Sequence, residues 1–158
     1  ACLFIVLLTG CVWLADWWSS PSRWSLKTLW RVSLPYLVSG IGGALLSIDV
    51  LSQAKGRKIA VLGDMGELGS EEKKLHGMVG THFAGKKIDA LFVTGTLAGE
   101  IAEEARRVAP ETRVYAEPDK EALEEALLEY RRPGDTILVK ASHFMGFSEI
   151  VKKLEQPQ

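Results

Sequence analysis

The chain has 158 residues, a formal net charge of -1 and 47% hydrophobic residues. This length suits one globular domain with a substantial core and leaves little room for two. The near-neutral charge excludes the strongly basic balance that is typical of nucleic-acid-binding proteins.

The first third of the chain differs in composition from the rest. It holds all five tryptophans and both cysteines, and only five charged residues precede residue 55. The uncharged runs at 1–15 and 32–48 are shorter than the roughly 20 apolar residues of a membrane-spanning helix. Three interpretations stay open: a membrane hairpin within residues 1–48, a packed hydrophobic appendage, or codons translated in the wrong frame. We therefore predict a hydrophobic segment at 1–46 and a globular domain at 47–156.

Short apolar runs and amphipathic patterns alternate regularly after residue 56. The predicted strands are 57–63, 88–95, 113–117 and 135–142, and the predicted helices are 44–55, 70–86, 96–109, 120–132 and 148–155. Such alternation is typical of a parallel sheet covered on both faces. We predict an α/β fold: an open, Rossmann-like, mostly parallel sheet with helices on both faces, preceded by the hydrophobic segment.

The helix predicted at 70–86 has Ser70 as its expected N-cap. The spacing of its apolar residues predicts an inward face formed by Leu75, Met78, Val79 and Phe83. We expect His76 to be a structural hydrogen-bonding group and His82 to be solvated.

Ligands of open parallel sheets bind at the carboxyl ends of the strands. This rule selects the loops at 63–69, 94–96 and 140–146. The first loop has Gly63, Gly66 and Gly69, which lack the Gly-x-Gly-x-x-Gly spacing of a dinucleotide site, and no Gly-Lys-Ser/Thr follows as in a phosphate loop. Asp64 and Glu67 suit an ammonium group or backbone amides better than a metal ion, so no metal site is predicted.

Three stretches carry a resemblance to a known family. They are "RKIAVLGDMGELGSEEKKLHGMVG", "IDALFVTGTLAGEIAEEA" and "RPGDTILVKASHFMGFSEIV". Together they resemble the C-terminal domain of Mur ligases over residues 44–154. The chain departs from that family at 141–143, where Ala-Ser-His replaces a common Gly-Ser-Arg. The missing arginine weakens the expected grip on a carboxylate, although His143 can still donate a hydrogen bond.

The resemblance implies an ATP-dependent ligase of peptidoglycan synthesis in the cytoplasm. In such a ligase ATP phosphorylates the carboxylate of UDP-MurNAc-tripeptide, and the amine of D-Ala-D-Ala attacks the acyl phosphate. The C-terminal domain would bind the dipeptide through residues that line the three loops, namely Asp64, Met65, Glu67, Thr94, Gly95, Lys140, Ser142 and His143. The full-length family uses ATP and Mg²⁺. These 158 residues lack its Gly-Lys-Thr loop, so we expect them to bind neither cofactor and to catalyse nothing alone.

Structural roles are the alternative for the same residues. Asp64 and Glu67 can cap the turn and a helix, Lys140 can be a solvated lysine, and Ser142 can be an N-cap. Thr94 and Gly95 can form a simple turn.

Two other functions also stay open: a membrane-tethered, non-enzymatic module that binds amino acids or peptides, and a related ligase such as folylpolyglutamate synthase. The resemblance stops abruptly around 43–47, which is the basis of the wrong-frame interpretation.

Overall fold

The structure is a computed structural model that describes residues 40–155. Its helices are α1 (40–52), α2 (Glu72–Ala84), α3 (Ala98–Val108), α4 (Lys120–Tyr130) and α5 (Ser148–Leu154). Its strands are β1 (Lys58–Gly63), β2 (Ala90–Thr94), β3 (Arg113–Glu117) and β4 (Thr136–Lys140). Two 3-10 turns, Gly69–Glu71 and His143–Met145, lie in the loops after β1 and β4.

The four strands form one parallel sheet in the order β3-β2-β1-β4. Val61 of β1 lies between Phe92 of β2 and Val139 of β4. The predicted parallel α/β architecture is therefore confirmed, with β1 as an interior strand.

The two interior strands, β1 and β2, are buried on both faces, to which successive side chains point in turn. Ala60 and Leu62 belong to the core formed with α1, α2 and α3. Ile59 and Val61 belong to the core formed with α4 and α5. Burial on both faces explains why β1 is a continuous apolar run in the sequence.

Helix α2 departs from the sequence prediction in three respects. Ser70 lies in the first 3-10 turn and no side-chain bond caps the helix, which begins at Glu72, so the N-cap prediction is wrong. Met78 is 48% exposed although it was predicted to face inward, whereas His76 is fully buried. His82 is not simply solvated, since its Nε2 lies 2.9 Å from Asp49 Oδ1.

No helix within residues 40–155 has the length and apolar character needed to cross a bilayer. The predicted membrane run at 1–15 and residues 32–39 of the run at 32–48 lie outside the described residues. The division at residues 46 and 47 stays a prediction.

Gly80 lies where the backbones of α2 and α3 come close together. A Cβ there would lie 2.3 Å from the carbonyl oxygen of Ile101. We expect Gly80→Ala to lower the free energy of unfolding by about 2 kcal/mol, because the two helices must separate. Urea unfolding followed by circular dichroism measures this change.

Gly99→Ala is the matched control, since nothing lies within 4 Å of a Cβ at this position in α3. It should stabilise the protein by about 0.5 kcal/mol. Equal stability of the two variants would contradict the close contact.

Candidate functional site

The strand order places a topological switch point at the carboxyl ends of β1 and β4. From β1 the chain continues to β2 on one side, whereas β4 lies on the other side of β1. The helices that follow β1 and β4 therefore pack on opposite faces of the sheet, and such a switch point is where open α/β sheets bind ligands. We call the surface where the loops at 63–69 and 140–146 meet the crevice.

Asp64 follows β1 directly and caps a helix that begins much later in the chain. Its carboxylate accepts the backbone N–H groups of Thr96 (3.1 Å), Leu97 (2.9 Å) and Ala98 (2.7 Å). A carboxylate at this position satisfies donors at the start of α3 and its helix dipole. The capping alternative for Asp64 is thus confirmed.

Gly95 makes this contact possible. Its φ is +121°, and a Cβ would lie 2.3 Å from Asp64 Oδ1. Only glycine fits both the backbone conformation and the space.

The loops after β1 and β4 are joined by hydrogen bonds. The N–H of Ser142 donates to the carbonyl oxygen of Asp64 at 2.9 Å, and the N–H of Gly66 donates to Ser142 Oγ at 2.5 Å. The N–H of Asp64 also approaches Met145 Sδ at 2.9 Å. Ser142 occupies the N-cap position of the second 3-10 turn but makes no side-chain cap bond. Its hydroxyl instead fixes the distance between the two loops.

Two predicted site residues have buried side chains. Met65 and Thr94 are each 3% exposed. The N–H of Met65 donates to His76 Nε2 at 3.0 Å, and His76 Nδ1 lies 2.7 Å from the carbonyl oxygen of Glu72, to which it donates. The structural role expected of His76 is therefore confirmed. A ligand in the crevice would meet the neighbours of Met65 and Thr94 rather than their side chains.

Glu67 and His143 are exposed on opposite sides of the crevice. Glu67 has a φ of 61°, the left-handed conformation that is uncommon for residues other than glycine. The buried side chains of Met65 and Leu68, on either side of it, anchor the loop in the core.

Lys140 ends β4, and its aliphatic chain runs beside α1. Its Cε lies 3.9 Å from the position of a Cβ on Gly43. Burial lowers the pKa of the Lys140 ammonium, because the charged form loses hydration. None of the ion pairs found among residues 40–155 includes Lys140.

The described residues do not fit an ATP–Mg²⁺ site. Across 40–155 no three His, Cys, Asp or Glu side chains are grouped so that they could hold a metal ion. The N-terminus of α3 would suit a phosphate group, but the Asp64 carboxylate already takes its N–H groups. An open groove of about 570 Å³ lies elsewhere, between α1, α2 and α3, and no residue of the crevice loops lines it.

Residues 42–143 match the family model for the Mur ligase, glutamate ligase domain. The chain belongs to the Mur ligase family. The resemblance stated from the sequence is thereby confirmed.

Two curated relatives share a name. The UDP-N-acetylmuramoyl-tripeptide--D-alanyl-D-alanine ligase of Bacillus subtilis is 42% identical over 111 residues, which are 70% of this chain and 24% of the relative. The enzyme of that name from Synechocystis sp. is 34% identical over 116 residues, which are 73% of this chain and 25% of the relative. The chain thus spans about a quarter of the length of these relatives.

Two solved structures have the same fold. The MurF ligase from Thermotoga maritima in complex with ADP aligns with a TM-score of 0.58 and 24% identity, over 71% of this chain and 25% of that one. MurF from Acinetobacter baumannii aligns with a TM-score of 0.60 and 24% identity, over 72% and 25%. At this identity the similarity supports the fold alone.

Sequence reasoning missed three residues of the crevice. Gly66 and Met145 bind the opposite loop through a backbone N–H and a thioether, and Phe144 is 74% exposed beside them. The local pattern does not predict that Phe144 is exposed, because the adjacent apolar residues Phe144 and Met145 are typical of core sequence.

Asp64→Ala removes an acceptor that serves three N–H groups. We expect it to lower the free energy of unfolding by about 2 kcal/mol, near the upper end for helix caps. Asp119→Ala is the matched comparison, because Asp119 caps α4 through the single N–H of Ala122 at 2.8 Å. Asp119→Ala should lower the free energy of unfolding by about 1 kcal/mol. Chemical denaturation of both variants checks the order, and a larger loss for Asp119→Ala would contradict the role of Asp64.

Lys140→Met should raise the stability of the domain at neutral pH, because it removes a partly buried charge. The pKa of Lys140 is lowered in the folded state from its ordinary 10.5, so the unfolded chain binds more protons between the two values. The advantage of the variant should therefore shrink as pH rises towards 10.5. Thermal unfolding of the variant and the wild type across pH measures this stability advantage. Lys152→Met is the control, because Lys152 is exposed. An advantage that does not change with pH would argue against charge burial.

Proposed function

We propose that residues 40–155 form the substrate-binding C-terminal domain of an ATP-dependent peptidoglycan-precursor ligase. The ligase would join D-Ala-D-Ala to UDP-MurNAc-tripeptide in the cytoplasm. Family membership and the shared name of the two curated relatives support this proposal.

The observation that carries the proposal is the arrangement of charges around the crevice. Glu67 lies on the loop after β1, whereas Lys140 and His143 lie at the end of β4 and just beyond it. The hydrogen bond from the N–H of Gly66 to Ser142 Oγ holds the two loops together. A free dipeptide has an ammonium group at one end and a carboxylate at the other, so it matches groups of opposite charge on two loops.

Lys140 is the best candidate to hold the carboxylate of the dipeptide. Its ammonium has lost hydration, and a charged partner would restore the lost interaction. His143 would add one hydrogen bond, in place of the arginine that is common in the family. The backbone and hydroxyl groups of Asp64, Gly95 and Ser142 would keep the loops in place rather than touch the reacting atoms.

The chemical step depends on residues beyond those described. No Gly-Lys-Thr phosphate loop occurs in the sequence, and the described carboxylates form no metal site. The proposed task of this domain is to hold and orient the incoming amine, while ATP and Mg²⁺ act in the remaining part of a full-length ligase.

The full chain should bind D-Ala-D-Ala detectably by saturation-transfer NMR observed on the ligand. We expect Lys140→Met to weaken binding about tenfold, the effect of losing roughly 1.4 kcal/mol of a charge-assisted contact. Lys152→Met should bind like the wild type. Absence of binding by the wild-type chain, or equal binding by both variants, would refute the proposed role of the crevice.

A further inference from the structure

Phe144 is the most exposed large apolar side chain among residues 40–155, at 74%. It lies in the middle of the 3-10 turn His143–Met145, at the rim of the crevice. An aromatic ring contributes most to stability when it is buried, so its exposure here needs another explanation.

The ring lies against the opposite loop. A Cβ on Gly66 would be 3.3 Å from Phe144 Cε1, so one edge of the ring rests beside the Gly66 backbone. The same glycine donates its N–H to Ser142 Oγ, two residues before Phe144. The turn ends at Gly146, whose φ of 64° reverses the chain. These contacts fix the position of Phe144 relative to the loop after β1.

Glu67 is the residue next to Gly66, and its backbone is in the left-handed region with a φ of 61°. Its side chain is exposed, and it takes part in none of the ion pairs found in the described part of the chain. A glycine would take this conformation without strain, so the position favours glycine and yet has a carboxylate. Strain of this kind is concentrated at functional sites.

We propose that Glu67 and Phe144 form a subsite for a primary ammonium group with a small apolar substituent beside it. The carboxylate pairs with the ammonium, and the exposed face of the ring attracts the same cation and packs against the substituent. The subsite rests on the function proposed above, and the amine end of D-Ala-D-Ala would bind to these two residues. The carboxylate end of the dipeptide is left to Lys140 and His143.

The test compares D-Ala-D-Ala with N-acetyl-D-Ala-D-Ala, which keeps the carboxylate and lacks the ammonium, on the full chain by saturation-transfer NMR. We expect Glu67→Gln and Phe144→Ala each to weaken binding of the free dipeptide about fivefold, within the range of an ion pair or a cation–π contact. Glu67→Gln should not change the weaker binding of the acetylated probe. Phe144→Ala should weaken the acetylated probe less than the free dipeptide, because that probe keeps the apolar substituent and lacks only the cation.

Two further variants separate binding from folding and from charge in general. Glu67→Gly removes the carboxylate and suits the positive φ, so it should lose binding while its thermal midpoint stays equal or rises. Glu103→Gln removes an exposed carboxylate of α3 and should bind like the wild type.

The outcomes distinguish the two proposals. If the wild-type chain binds neither probe, both the function and the subsite are overturned. If it binds the free dipeptide and Glu67→Gln behaves like Glu103→Gln, the subsite is wrong and the function stands. Equal binding of the two probes would also overturn the subsite, because the ammonium would then go unrecognised.

Discussion

The carboxylate of Asp64 accepts three backbone N–H groups at the start of α3, while its own carbonyl oxygen accepts the N–H of Ser142. One residue thereby joins the loops after β1, β2 and β4. The same contact has an electrostatic consequence, because the partial positive charge at the start of α3 is already neutralised. The crevice is thus unsuited to a phosphate group at this helix and is left to ligands that other side chains recognise.

Close packing around β1 keeps Asp64 in this position. A Cβ on Gly63 would lie 2.7 Å from Met145 Sδ and 2.8 Å from both Ala141 and Phe147, so the loop after β4 approaches the end of β1 without a gap. Burial of β1 on both faces fixes its register with β2 and β4. The geometry of the crevice therefore follows from the sheet, and the loops add hydrogen bonds to a spacing that the strands have set.

The sequence predicts the strands well and the contacts between loops poorly, for a physical reason in each case. A strand buried on both faces leaves a continuous apolar run, so β1 was predicted within one residue. β3, a partly exposed edge strand, was predicted with its observed limits. Helical periodicity alone could not tell that His76 is buried and Met78 exposed, since hydrogen bonds to Met65 and Glu72 are what make the buried histidine tolerable. The bond from Gly66 to Ser142 joins residues 76 positions apart, and no local pattern contains it.

Two features of the crevice work against the stability of the domain by itself. Lys140 keeps an ammonium where burial lowers its pKa, and Glu67 keeps a side chain where the backbone favours glycine. Natural sequences depart from such local stability rules mainly at functional sites. Here the two exceptions have opposite charge and lie on the two loops that Ser142 joins. A ligand with a carboxylate at one end and an ammonium at the other would pair with Lys140 through its carboxylate and with Glu67 through its ammonium. Neither a purely structural loop nor a phosphate site would account for both side chains.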